Sequence, residues 1–293
     1  MADSKELVVI SGKGGTGKTS LVACLASLFG NRVVADCDVD AANLDLLLQG
    51  RVVEKKEFIG GSKAAINPKL CTRCGKCTEV CRYAAISDAF VIDRLACEGC
   101  GACHYFCPAG AVEFLPRRCG ECFICQDKND EPFVFAELLP GEENSGKLVT
   151  MVRTEARIKA QEKGIPLILI DGPPGIGCPV ISSLTGTHHA LIVTEPTGSG
   201  VHDMERVVEL GRHFGIPMSV VVNKSDINAE RTRTIEEFCA REGMAFLGGI
   251  PFDSTISEAQ RQVKTILELV PDCGASRAIW DISRILKERM EVV

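Results

Sequence analysis

Two constellations in this 293-residue sequence could do chemistry, and they use different kinds of residue. The first is a glycine-rich loop, Gly12-Lys13-Gly14-Gly15-Thr16-Gly17-Lys18-Thr19-Ser20, which follows the apolar run Leu7-Val8-Val9-Ile10. It fits the phosphate-binding pattern G-x-x-x-x-G-K-[ST] in the context that pattern needs, an apolar strand before it and a helix after it. The glycines let backbone N–H groups converge on a phosphate, and the helix N-terminus adds a partial positive charge. Residues 12–20 are therefore the expected nucleotide cradle. Lys18 would reach the terminal phosphates, and the Thr19 hydroxyl would bind Mg²⁺. The second constellation is cysteine. Of 16 cysteines, eleven lie between Cys71 and Cys125. Cys71, Cys74, Cys77 and Cys81 stand with two, two and three residues between them, and Cys97, Cys100, Cys103 and Cys107 repeat that spacing. In a reducing compartment, thiols clustered this closely read as metal ligands rather than disulfides.

The doubled spacing, with Pro108 after the last cysteine, is that of the bacterial two-cluster ferredoxins, in which the fourth cysteine of each run ligates the other run's cluster. The expected ligand sets are Cys71, Cys74, Cys77 and Cys107 for one [4Fe–4S] cluster, and Cys97, Cys100, Cys103 and Cys81 for the other. Cys81 is followed by Arg82 rather than proline, a minor departure. A zinc site would want two CxxC pairs instead. Because each run serves both clusters, the two must lie close together, which suits an electron conduit better than a structural staple. A third run, Cys119, Cys122 and Cys125, has only three cysteines. It is a further candidate metal site whose metal the spacing does not name, with a packed loop as the alternative. Cys178, in Gly175-Ile176-Gly177-Cys178-Pro179, reads as a buried thiol, although its small neighbours would let a partner chain approach.

The elements that must position these groups are legible in the flanks. Residues 5–50 and 148–290 alternate short apolar runs with helical stretches, the pattern of an α/β protein with a mostly parallel sheet. Strands are predicted over 7–10, 32–35, 167–170, 190–194, 218–222 and 245–248. Helices are predicted over 18–28, 154–163, 200–214, 228–241 and 276–289. The segment 55–147 breaks the alternation and reads as a small ferredoxin-like domain inserted into a surface connection, which leaves a discontinuous P-loop domain of 1–54 and 148–293.

One lysine makes the loop more specific than its pattern. Lys13 after the first glycine yields KGGTGKT, which resembles the deviant phosphate loop of the family that includes the MinD and ParA ATPases and the nitrogenase iron protein. That resemblance implies an ATPase in which Lys13 crosses a nucleotide-sandwich dimer and touches the partner's phosphates, stabilising transition-state charge as an arginine finger does. Asp36-Cys37-Asp38-Val39-Asp40 followed by Asn43-Leu44-Asp45 resembles the family's switch I. By that resemblance Asp38 would orient or deprotonate the attacking water, with Asp40 a weaker candidate and a helix cap the alternative. Leu167–Ile170 running into Asp171-Gly172-Pro173-Pro174-Gly175 resembles Walker B and switch II, so that Asp171, with Thr19 and Asp38, would hold Mg²⁺. Asn223 of Asn223-Lys224-Ser225-Asp226 falls where the family contacts the base, and Asp253 of Pro251-Phe252-Asp253 is placed to close over it. The same four residues spell the guanine-reading N-K-x-D, so guanine stays open beside the ATP that the resemblance favours.

The whole chain is similar to MinD-superfamily P-loop ATPases with an inserted ferredoxin domain, a group some of whose members resemble components of the bacterial orange-protein complex. The resemblance implies ATP, Mg²⁺ and two [4Fe–4S] clusters as cofactors. It also implies a homodimer or a heterodimer with a similar ATPase, and a redox partner or metal-cluster carrier protein. Two functions compete: nucleotide state coupled to electron transfer, or ATP-dependent cluster assembly and delivery.

Composition narrows the classes. A formal net charge of −6 and a single Trp with two Tyr give neither a basic field nor an aromatic platform for nucleic acid. No apolar run approaches the roughly 20 residues of a membrane span, and the N-terminal MADSKELVVISGKGG has no signal-peptide pattern, so the expected location is the cytoplasm.

Overall fold

Leu7-Val8-Val9-Ile10, Val33-Val34-Ala35 and Leu167-Ile168-Leu169-Ile170 are apolar at every position, so strands built from them are stable only with both faces covered. The computed structural model, which describes residues 4–142 and 146–291, leaves each of these side chains no more than 1% exposed. In chain order the elements are β1 (Lys5–Ser11), α1 (Lys18–Leu28), β2 (Arg32–Asp36), α2 (Leu44–Leu48), β3 (Arg51–Ile66), α3 (Lys76–Val80), α4 (Ala102–Tyr105), β4 (Val112–Gln126), β5 (Pro132–Leu138), α5 (Lys147–Lys163), β6 (Leu167–Pro174), α6 (Cys178–Leu184), β7 (His189–Thr194), α7 (Gly198–His213), β8 (Met218–Asn223), α8 (Ala229–Arg241), β9 (Ala245–Ile250), α9 (Thr255–Arg261), α10 (Ile266–Leu269) and α11 (Gly274–Met290).

The strands follow the order β3-β4-β5-β2-β6-β1-β7-β8-β9. From β5 to β9 every neighbouring pair is parallel. This is the expected α/β architecture, and it aligns the carboxyl ends of β1, β2, β6, β8 and β9 along one edge, where ligands bind in open α/β sheets. Helices cover the strands, and side chains cap their starts: Thr197 caps α7 by accepting the Gly200 amide, and Asn228 caps α8 by accepting the Arg231 amide. The last helix, α11, buries Ile279, Ile282, Leu286 and Met290 as a packing helix should.

The chain divides into two units. The larger takes in the described residues of Met1–Lys56, Cys122–Glu137 and Asn144–Val293, and the smaller those of Glu57–Glu121 and Leu138–Glu143. The insert expected over 55–147 therefore differs by a few residues at each end and in one internal stretch, since Cys122–Glu137 belongs to the larger unit. The reason is an extra strand. β5 lies parallel to β2, with Phe133 opposite Val34 and Val134 opposite Ala35. Phe123 and Phe133 stack on either side of Phe135, at ring-centroid distances of 4.7 and 5.3 Å, within the larger unit's core. The turn between β4 and β5 is anchored by Asp127, which accepts the amides of Asn129 and Glu131 and pairs with Arg32 at 2.5 Å. Both members of that pair are 2% exposed, so losing either one would strand a buried charge.

The smaller unit has its own core, and the cysteines are part of it. Cys77, Cys97 and Cys103 are buried with Ala64, Ala85, Ile86 and Val112, and Cys81, Cys107 and Phe114 pack against them. Helices α3 and α4 each begin just after a left-handed glycine, Gly75 (φ 78°) and Gly101 (φ 84°).

Candidate functional site

The nucleotide cradle is assembled at the carboxyl edge of the large sheet. Strand β1 delivers the chain to the loop, and α1 starts at Lys18. Gly17 is left-handed (φ 86°), and a side chain there would collide with the Asn223 amide. Residues 14–20 line a cleft of about 600 Å³ together with Asp38, Asp40, Asn43, Pro174, Asn223, Phe252 and Asp253. That volume falls within the range of small-molecule sites, roughly 300–1,000 Å³.

Charge in the cleft is arranged around one cation. Lys18 is 5% exposed, and its Nζ lies 2.5 Å from Asp171 Oδ1 and 3.5 Å from Asp38 Oδ2. Burial opposes its charge, but Asp171, Asp38 and Asp36 outweigh burial and lift the ammonium above its ordinary pKa. The carboxyls show the other side of the balance. Burial, reinforced by Asp171, pushes Asp36 well up, and burial raises Asp38 against the pull of Lys18. Asp36, which sequence reasoning passed over, is fully buried and accepts the amides of Asp38 (3.0 Å) and Leu44 (3.3 Å). It thereby pins both ends of the 38–44 loop. A closely spaced Asp36, Asp38, Asp40 series at a strand end was the available signal.

Of the four buried polar side-chain atoms without a partner among the described residues, two lie on the phosphate loop and on the carboxylate facing Lys18: Thr16 Oγ1 and Asp171 Oδ2. An orphaned carboxylate oxygen at zero exposure, on the group that faces Lys18, is the kind of donor a hydrated Mg²⁺ takes, and Thr19 lines the cleft, so the residues present fit the ion. Several expected contacts carry a second duty. Asn223 lines the cleft, but its Nδ2 donates to Thr16 O at 2.8 Å and braces the loop from below. Ser20 Oγ accepts from Gln260 at 2.6 Å. The Asp253 carboxylate is held by the Thr255 hydroxyl and amide, which lower its pKa, at the start of α9. Asp226, which a guanine reading would turn toward the base, accepts the Phe252 amide at 2.6 Å and is not part of the cleft lining.

In the smaller unit, two cavities sit among the cysteines. One is lined by Cys71, Cys74, Cys77 and Cys107, and the other by Cys81, Cys97, Cys100 and Cys103. The geometry thus groups the side chains crosswise. The two runs are wound alike: Arg73 and Gly75 in the first, and Gly99 and Gly101 in the second, all have positive φ. In each loop the third cysteine, Cys77 or Cys103, is buried and the second, Cys74 or Cys100, is exposed. Cys107 Sγ also accepts the Ala111 amide at 3.3 Å. Neighbouring amides of residues 109–112 outweigh burial and lower its thiol pKa, which favours the thiolate a ligand must be. Among the described residues, no three or more His, Cys, Asp or Glu side chains gather tightly enough to hold a single metal ion.

The third run is not brought together. Cys119, Cys122 and Cys125 lie in β4, where residues three apart face opposite sides of the sheet and rise by roughly 10 Å. Cys119 falls in the smaller unit and the other two in the larger. Burial pushes the Cys122 thiol up to about 12 and Cys125 to about 11, the neutral form that does not ligate. Cys178, expected as a buried thiol, is instead exposed at the start of α6.

A glycine-rich loop braced at the edge of a mostly parallel sheet, with a buried lysine facing strand-end carboxylates, defines a P-loop nucleotide hydrolase. The family described as the CobQ/CobB/MinD/ParA nucleotide binding domain matches residues 7–266. The chain belongs to this family and is a P-loop ATPase. An uncharacterized protein of Methanocaldococcus jannaschii is 40% identical over 226 residues, covering 76% of this chain and 79% of its own length. An iron-sulfur cluster carrier protein of the same organism is 24% identical over 98% of this chain and 85% of its own. Among solved structures, the septum site-determining protein MinD of Pyrococcus horikoshii, complexed with Mg-ADP, superposes with a TM-score of 0.57 at 18% identity, covering 98% of this chain and 97% of its own. No helix among the described residues is long and apolar enough to cross a membrane.

Proposed function

We propose that this ATPase uses its nucleotide state to govern electron transfer through two resident [4Fe–4S] clusters. The observation that carries the reading is the crosswise grouping of eight cysteines into two four-cysteine cavities on a chain that also holds a phosphate-loop cleft. Four cysteines per cavity, in part buried in a core, suit a group that is retained. When bound, such clusters accept and donate single electrons, at potentials tuned by hydrogen bonds to sulfur such as the one from Ala111 to Cys107.

The protein's own residues supply the coupling. Lys18 neutralises Asp171 and Asp38 while the cleft lacks a triphosphate. A γ-phosphate in the cleft would draw Lys18 away from them; Thr19 and Asp171 would hold Mg²⁺, which would supply positive charge to the phosphates and the carboxylates. Asp38 then orients the attacking water. The loop 38–44, pinned by Asp36, follows Asp38, and it extends from β2, whose neighbour β5 continues into the 138–142 segment of the smaller unit. ATP and ADP differ in these contacts, and only such a difference can move a conformational equilibrium. Lys13 acts across a dimer, formed with a second copy or a similar ATPase, on the partner's phosphates. The electron acceptor is a redox protein or a metal-cluster carrier.

The test is an anaerobic redox titration of the iron-loaded protein, which should carry about eight iron atoms, in its empty, ADP and ATP states. A shift of about 60 mV, a tenfold change in a one-electron equilibrium, is expected between ADP and ATP. Identical potentials in all three states would refute the coupling. A second reading, in which clusters are cargo, is favoured by the iron-sulfur cluster carrier named among the relatives. It requires ATP-dependent loss of iron to an apo-acceptor, whereas the proposal expects retention.

A pH profile tests Asp38. Its carboxyl lies above the ordinary 3.8 because burial outweighs Lys18. The acid limb of kcat/KM for ATP, which reports the free enzyme, should therefore fall above the usual aspartate range and vanish in Asp38→Asn along with turnover. An acid limb at the ordinary aspartate value would remove Asp38 from that role.

A further inference from the structure

The lysine that should reach a partner is engaged at home. Lys13 Nζ lies 3.1 Å from Glu195 Oε2 and 3.4 Å from Ser199 Oγ. The other oxygen of the same carboxylate, Oε1, accepts from Lys224 Nζ at 2.6 Å. Glu195 is the least exposed of the three, with 12% of its side chain accessible against 32% for Lys13 and 35% for Lys224. Burial raises the Glu195 pKa, but hydrogen bonds from Lys224 and Lys13 outweigh it and keep the group ionised. The backbone holds it in place: Glu195 directly follows β7, its carbonyl crowds Gly200 in the first turn of α7, and Thr197 caps that helix. Lys224 in turn lines the nucleotide cleft. One fixed carboxylate therefore links the tip of the phosphate loop to the far wall of the same cleft.

We propose that Glu195 is an intramolecular latch on Lys13, setting the threshold for ATP-dependent association. The inference rests on Lys13 acting across a dimer. To touch a partner's phosphate, Lys13 must turn from a carboxylate already at hydrogen-bonding distance. Lys224 shares the carboxylate and moderates its hold. The two neighbours of Lys13 thus act in opposite directions: removing the charge of Glu195 releases the lysine, and removing Lys224 leaves the whole carboxylate on it.

The experiment measures self-association of the intact, iron-loaded protein by sedimentation at saturating Mg-ATP. Glu195→Gln, which keeps size and hydrogen-bonding capacity, should tighten the dimer about two- to fivefold, the range expected for a partly exposed ion pair. Lys224→Gln should weaken it. In a Lys13→Ala background, Glu195→Gln should change nothing, because the coupling runs through that lysine. A Glu195→Gln protein that associates no better than the parent, while Lys13→Ala no longer associates, overturns the latch alone. Enhancement that persists without Lys13 also overturns it. Undiminished association of Lys13→Ala overturns the trans role of Lys13 and the latch with it.

Discussion

Lys18→Ala should lower ATP turnover by at least about a hundredfold, the loss expected when one preorganised charge is taken from a phosphoryl-transfer site. The same substitution should expose a second effect that an ordinary catalytic lysine would not show. Lys18 is the cation facing Asp171 and Asp38, and Asp36 is buried beside them. Without it, the Asp36 and Asp38 carboxyls, already raised by burial, rise further. The folded state then binds protons that the unfolded chain has released, so stability is present at acid pH and lost as pH rises through the raised folded-state values. The thermal midpoint of the nucleotide-free variant should fall more steeply than the parent's as pH rises above the ordinary aspartate range, and added Mg²⁺ should restore part of it. A parent-like pH profile would mean that Lys18 does not balance these charges.

The phosphate loop and the two ferredoxin-like runs were legible because their chemistry constrains a short stretch of chain. Gly12–Ser20 must be contiguous to curl around a phosphate, and three cysteines of each cavity come from a single loop. Glu195 and Asp36 were not legible in that way. Glu195 matters through Lys13 and Lys224, two residues that the fold, not the chain, brings to it. Asp36 matters through amides that only a folded switch loop presents. The third cysteine run misled for a different reason. Its spacing copies the first two, but the residues between its cysteines do not. Cys71–Cys77 and Cys97–Cys103 enclose Gly75 and the pair Gly99 and Gly101, all left-handed, whereas Phe123-Ile124 between Cys122 and Cys125 are residues that favour a strand. Phe133-Val134-Phe135 carried the same strand signal for β5, within an interval already assigned to the insert. Spacing alone proposes a metal site; the conformational preference of the intervening residues decides whether the thiols can converge.

Crosswise ligation is the strongest claim the smaller unit makes, and iron counting can break it. Cys97→Ala with Cys100→Ala should remove the cluster of one cavity, leaving about four irons of about eight. ATP affinity should be unchanged, because the cleft residues belong to the larger unit and both substituted thiols to the smaller. The next substitution separates the two possible pairings. By chain order Cys107 belongs with Cys97, Cys100 and Cys103; by geometry it lines the cavity of Cys71, Cys74 and Cys77. Adding Cys107→Ala to the double variant should therefore cost the remaining cluster one of its four ligands. The iron count and its spectrum should collapse, to near zero or to a three-iron form. Adding Cys81→Ala instead should leave the surviving iron in place, since Cys81 lines the cavity already emptied. The reverse result, with loss on Cys81→Ala and indifference to Cys107→Ala, would mean that each run folds around its own cluster. The close, interlocked pair on which rapid electron passage depends would then not exist.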